Sequence, residues 1–197
     1  MPRTLRQEHT EHTRRALLDA AAELFASQGY ARTSIDDVVI GARVTRGALY
    51  HHFPSKLEIF RAVCTATEEQ VAARVRESAR QASGSPRERV MHALDRYFAE
   101  CRDPNYQAIV LREAHETQLR PAGTRYIPAL TELVRRMIRQ LEEASAITVE
   151  DPDLLAQLLC AVLCEAAYAV GTHRNPDSVV KEAKSLVGRM LFGCDDT

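Results

Sequence analysis

Strand signals are nearly absent from this chain: no apolar–polar alternation is bounded by Asn-Gly or Gly-Gly turns, which argues against a sheet-built fold. Also missing are a phosphate-binding glycine loop, a nucleophile–base pair at a recognisable spacing and a cluster with metal-ligand spacing. An all-α enzyme would therefore lack its chemistry, and neither a cofactor nor a metal is expected. The cysteines (Cys64, Cys101, Cys160, Cys164 and Cys194) are odd in number, scattered and without a CxxC pair. That pattern excludes a disulfide framework and points to a reduced, cytoplasmic setting. The N-terminus is charged and polar, unlike a signal peptide. The longest apolar stretch, Leu158 to Cys164, falls far short of the roughly 18 residues that span a bilayer, so no membrane segment is expected. Positive charge is not in excess either. The net charge is -1, and residues 1–57 hold eight Lys/Arg against six Asp/Glu. Such a balance excludes a broad basic field, so any nucleic acid must be held by a few well-placed contacts.

Helix signals, by contrast, are abundant. Leu17, Ala21, Leu24 and Phe25 form one stripe over residues 10 to 28, and Gly29 follows as a stop. Ser34 is placed to cap the next helix, with Asp36 and Asp37 in its first turn favouring the dipole. Ser55 and Glu58 have capping-box spacing and predict a long helix from Ser55 to about Gln81. Ser85-Pro86, Asp103-Pro104, Asp151-Pro152 and Asn175-Pro176 each pair a cap with a first-turn proline. A further helix is expected over Thr124 to Ala144. The chain reads as all-α, with about nine helices and no long linker or fixed-period repeat.

The most informative stretch is TSIDDVVIGARVTRGALYHHFPSKLEIF, residues 33 to 60. It reads as a helix, a tight turn and a second short helix, which is the pattern of a helix-turn-helix. Ile35, Val38, Val39, Ala42, Val44 and Leu49 fall where two small helices crossing steeply need a shared core. Arg43, Thr45, Arg46, Gly47, Tyr50, His51 and Lys56 are left facing outward. In this motif the start of the second helix meets base edges while the first braces the backbone. Arg46, in the first turn, is the candidate for a bidentate contact to guanine, and Gly47 leaves room for close backbone approach. Thr45 caps that helix within reach of a phosphate, and Tyr50 sits one turn on. Lys56 adds charge beside a helix start, while Thr33 and Ser34 begin the bracing helix. His51 and His52 point different ways along the helix and so cannot share a metal ion. His52 is expected beside Phe53, and His51 toward DNA.

LFASQGYARTSIDDV followed by VTRGALYHHFPSKLEIF closely resembles the DNA-binding region of TetR-family transcriptional regulators, strongly so over residues 13–63. The remainder resembles the family only in helix number, helix lengths and a very apolar penultimate helix. The resemblance implies a homodimer that binds double-stranded operator DNA and is released by a small-molecule effector, most often a repressor. It also implies a division into residues 1–54, the DNA-binding part, and residues 55–197, the helical ligand-binding and dimerisation part. Two positions depart from the family pattern. Arg43 stands where glycine is frequent, at about 1 kcal/mol if its backbone is left-handed, and Val39 stands where alanine is common.

The C-terminal part says less. Between Leu158 and Val170 the only charged residue is Glu165, and a helix apolar on nearly every side needs cover on nearly every side. Together with Val179, Val180, Ala183, Leu186, Val187, Met190 and Leu191 of the last helix, it suits a four-helix interface between two copies, or alternatively the closing of a monomer core. Cys160 and Cys164 share a face and are expected as small core residues. Tyr97, Arg112, His115, Glu116, Tyr126, Glu165 and Tyr168 are candidates to line an effector pocket. Glu165 suits a cationic ligand or a structural pair with Arg112 or His173, whereas Arg112 with His115 suits an acidic ligand; residue types alone do not choose. A helical scaffold that binds only protein is the other rival, opposed by the outward Arg46, Tyr50 and Lys56.

Overall fold

The computed structural model describes residues 5–113 and 128–193. Among these residues every regular element is helical: α1 Leu5–Arg32, α2 Ile35–Ala42, α3 Arg46–His52, α4 Lys56–Gln81, α5 Pro86–Cys101 and α6 Pro104–Tyr106. The last of these continues as a π-helix, Gln107–Glu113, and is followed by α7 Pro128–Glu143, α8 Pro152–Thr172 and α9 Pro176–Phe192. The all-α expectation is met.

The expected local signals are the ones that end and begin these helices. Gly29 breaks the helical path of α1 at φ 81°, a left-handed region that favours glycine. Ser34 and Asp37 form a reciprocal capping box at α2, as do Ser85 and Glu88 at α5. Asp103, Asp151 and Asn175 each accept from backbone amides ahead of a proline. Ser55 accepts from the Glu58 amide, while the Glu58 carboxylate turns to Arg61 at 2.6 Å. The π-helix was not foreshadowed by any of these signals.

The described residues form two compact units, 5–67 with 108–113, and 68–107 with 128–193. In the first, α1, α2 and α3 pack on one another. Leu17, Ala21, Phe25, Val38, Leu49, Ile59 and Phe60 are fully buried there. Phe25 meets Phe60 edge-on at 5.0 Å, a geometry that ring quadrupoles favour. Of the shared core expected between the two small helices, Val38 and Leu49 are buried, while Ile35, Val39, Ala42 and Val44 are half-buried at its edge.

In the second unit α8 packs against α5, α7 and α9. α7 is amphipathic: Leu130, Val134, Ile138 and Leu141 are buried on one face, and Arg136 and Glu132 pair on the other. A buried carboxylate, Glu100, is held by Arg74 at 2.6 Å and by Arg96, which satisfies a charge that would otherwise be costly inside. Cys160 and Cys164 are buried core thiols, as expected.

One expectation for α8 is qualified and one is corrected. Its 21 residues are long and apolar enough to cross a membrane by length and composition, although the longest uninterrupted apolar run is short. Here it instead buries Ala156, Leu159, Cys160, Leu163, Cys164, Ala167 and Val170 inside the unit. Glu165 is not a buried carboxylate. It lies on the exposed face of α8, because among the described residues the helices that pack on α8 cover the opposite side. Leu154 and Leu158 share that exposed face at 50% and 49% exposure, and Leu186 of α9 is 38% exposed.

Candidate nucleic-acid interface

The helix-turn-helix is held together from its caps outward. Ser34 Oγ accepts from the Asp37 amide at 3.1 Å, and Asp37 Oδ2 accepts from the Ser34 amide at 2.9 Å. The Ser34 hydroxyl also donates to Asp37 Oδ2 at 2.7 Å, and this bond, then the one from the Ser34 amide, holds the Asp37 carboxyl below its ordinary value. α2 ends at Arg43, whose backbone is left-handed at φ 56°, ψ 40° and whose amide bonds back to Ile40 O and Val39 O. The left-handed backbone that the sequence left as a condition for this non-glycine residue is therefore present. Two residues on, Thr45 adopts an extended backbone and its Oγ1 accepts from the Ala48 amide at 3.2 Å, starting α3.

α3 buries Leu49 and presents Thr45, Arg46, Gly47, Tyr50 and His51 on its exposed side. A Cβ built at Gly47 would meet only Thr45 Oγ1, at 4.0 Å, so the backbone there is open to close approach. Arg46 is not an isolated cation. Its Nη1 lies 3.1 Å from Asp36 Oδ1, and its guanidinium carbon sits 5.9 Å from the Tyr50 ring centre. Hydrogen bonding to Tyr50, and then the charge of Asp36, raise its pKa further above the ordinary arginine value. His52 lies beside the Phe53 ring as expected, 6.3 Å between centroids. Burial, then the charges of His51 and Arg14, push its imidazole below the usual histidine value.

Two expected backbone-contacting side chains are placed otherwise. Thr33 is 1% exposed; its hydroxyl donates to Gly29 O at 2.9 Å and accepts from Gln28 Nε2 at 3.3 Å. Its side chain therefore braces the link between α1 and α2 instead of facing outward. Lys56 Nζ donates to Tyr30 O and Thr33 O, both at 2.9 Å, and lies 4.3 Å from the Tyr30 ring centre. The carbonyls at the end of α1 capture the charge expected at the surface. Ser34 and Arg43 are exposed, as expected. Asp36 was overlooked as a partner of Arg46. Its only sequence signal was an acidic side chain in the first turn of α2, which the helix dipole already explains.

Of the seven effector-pocket candidates, the side chains of Arg112, His115, Glu116 and Tyr126 lie outside the described residues. Tyr97 is buried, with its hydroxyl 3.4 Å from Leu163 O. Tyr168 is half-buried and Glu165 exposed, so these three do not converge as one buried set.

Residues 17–63 match the model of the tetR family of bacterial regulatory proteins, and residues 87–194 match the tetracyclin repressor-like C-terminal domain. Over 104 residues the chain is 35% identical to the HTH-type transcriptional regulator AcrR of Shigella flexneri, covering 51% of this chain and 48% of AcrR. The chain thus spans about half the length of that relative. It is 25% identical over 198 residues to the regulator UidR of Escherichia coli, covering 95% of this chain and 94% of UidR. The crystal structure of a TetR-family transcriptional regulator from Pectobacterium atrosepticum superposes with a TM-score of 0.74 at 29% identity, covering 94% of each chain.

Proposed function

The chain belongs to the TetR family of bacterial regulatory proteins, which are transcriptional regulators and not enzymes, and from that premise we propose that it is a ligand-responsive repressor. It binds a palindromic operator as a homodimer through α2 and α3, and a small-molecule effector releases it. The observation that carries the DNA half of this reading is the Thr45-capped α3, which buries Leu49 and turns Arg46, Gly47, Tyr50 and His51 outward. Arg46 reads a guanine, and Arg43 adds a contact from the turn. Ser34, Thr45, Tyr50 and His51 engage the phosphates, while Thr33 and Lys56 set the angle at which α2 leaves α1.

The dimer is formed through α8 and α9. What supports it is the row Leu154, Leu158, Ala161 and Glu165, at helical spacing on the exposed side of an otherwise apolar helix, joined by exposed Leu186 on the next. Apolar side chains in such a row favour cover by a partner. Residues 1–54 carry the reading part and residues 55–197 the effector and dimer part. In one state the two reading helices lie about one DNA turn apart, roughly 34–36 Å. The effector favours another state by its difference in affinity for the two. The site of action is the cytoplasm, where DNA is accessible and free thiols such as Cys64, Cys101, Cys160 and Cys164 persist.

The test is binding to the duplex that flanks the chain's own gene, measured across salt concentrations. A regulator of this kind gives tight binding whose logarithm falls linearly with log salt. A protein-only scaffold would give no binding above that to random-sequence duplex, and that result would overturn the proposal.

A further inference from the structure

Arg46 and Asp36 come from different helices, ten residues apart, yet their side chains meet at 3.1 Å. Both helices are fixed where they carry this pair. Asp36 stands in the first turn of α2, which the Ser34–Asp37 capping box closes. Arg46 opens α3 directly behind the Thr45 cap, and the left-handed Arg43 sets the turn between them. A second support comes from α3 itself, where the Tyr50 ring lies under the same guanidinium. Asp36 engages Nη1 alone, and the five-donor fork of arginine keeps N–H groups for another acceptor.

An exposed arginine loses rotamer freedom when it binds, at roughly 0.5–1.5 kcal/mol for one immobilised side chain. Part of that ordering is already present in the free protein here. We infer that Asp36 is a positioning residue that holds the Arg46 fork in register with the DNA and so sharpens discrimination for guanine. This rests on the reading of Arg46 as the base-contacting residue. A carboxylate on a face that meets phosphates opposes binding in general. Asp36 therefore trades nonspecific affinity for selectivity, and the two effects separate by experiment.

The probes are a duplex that the wild-type chain enriches from a randomised library, copies with single G·C pairs exchanged for A·T, and a random-sequence duplex. Arg46→Ala identifies the pair that Arg46 reads, as the position where exchange no longer weakens binding. At that pair Asp36→Asn is expected to lower the discrimination ratio by about two- to twelvefold, with affinity for random duplex equal or higher. In the Arg46→Ala background Asp36→Asn leaves the ratio unchanged, and Asp36→Glu in the wild-type background restores part of it. Thermal melting of each variant reports folding independently. If Asp36→Asn raises affinity for all three kinds of duplex by one factor, Asp36 only repels phosphate and the inference fails. An equal loss of discrimination with and without Arg46 overturns it as well. If Arg46→Ala leaves every exchange as costly as before, the base-reading role itself is wrong and the inference falls with it.

Discussion

The Lys56 ammonium lies 4.3 Å from the centre of the Tyr30 ring and donates to the Tyr30 carbonyl oxygen at 2.9 Å, tying the first turn of α4 to the end of α1. With the further bond to Thr33 O, one cation closes the corner on which α2 begins. Hydrogen bonds involving a charged group contribute about 1.5–3 kcal/mol each, and an exposed cation–π contact about 0.5–1. Lys56→Met is therefore expected to lower unfolding stability by about 3–4 kcal/mol in urea titration, with little change in the salt slope of DNA binding. A slope reduced by about one unit with stability intact would instead make Lys56 a phosphate contact.

Arg43 occupies a left-handed conformation in which a Cβ is strained. Arg43→Gly should raise stability by about 1 kcal/mol while weakening DNA binding and flattening its salt slope by about one unit. Thermal melting and titration at several salt concentrations measure the two effects separately. An unchanged slope would show that the strain at Arg43 brings no contact with DNA.

Leu158 is half exposed on α8, so its replacement leaves the core of its own chain intact. Leu158→Arg is expected to convert a dimer to a folded monomer, seen as halved mass in sedimentation with the helical circular dichroism unchanged. A wild-type chain that sediments as a monomer at micromolar concentrations would sink the α8–α9 interface.

Gly171 faces the carboxamide of Gln107: a Cβ there would stand 2.0 Å from Gln107 Oε1. That carboxamide donates to Cys101 O and, at 3.4 Å, to Ala167 O. Gly171→Ala gains up to about 1 kcal/mol of helix propensity, yet displaces the Gln107 carboxamide from Cys101 O, and losing that part-buried bond costs about 1–3 kcal/mol. The net change expected is a loss of about 1 kcal/mol. In a Gln107→Ala background the same substitution should become stabilising, and a cycle of four unfolding curves reads that change of sign.

His52 is held below its ordinary pKa of 6.5, first by burial and then by the charges of His51 and Arg14. A depressed folded value means that the unfolded chain takes up the proton first. The His52 contribution is complete above the unfolded value and is lost as pH falls through the folded one. Urea midpoints should therefore decline from about pH 7 downward, and His52→Gln should make that segment shallower. An identical decline in the variant would assign the effect to other groups.

The helix boundaries were legible in the sequence because their causes are local. Ser34, Thr45, Ser55, Ser85, Asp103, Asp151 and Asn175 each act on amides two or three residues away. A cap works through covalent neighbours, so the order of residues suffices to place it. The outward row Arg46, Gly47, Tyr50 and His51 was legible for the same reason: one buried residue, Leu49, orients a seven-residue helix.

What a side chain meets beyond its own turn was settled only by tertiary structure. Thr33 and Lys56 look like surface donors until the end of α1 folds back and offers them the carbonyls of Gly29, Tyr30 and Thr33. α8 reads as apolar on nearly every side, and nothing in its order says which side its neighbours cover. α5, α7 and α9 pack on one face and leave Leu154, Leu158 and Glu165 on the other. The sequence by itself determined an all-α chain with a helix-turn-helix near its start, through periodicity and caps that act within a turn. The tertiary structure decided which charges remain available, because a hydrogen bond or ion pair forms only where two distant segments bring their partners to about 3 Å. The Asp36 carboxylate beside Arg46 is such a pairing.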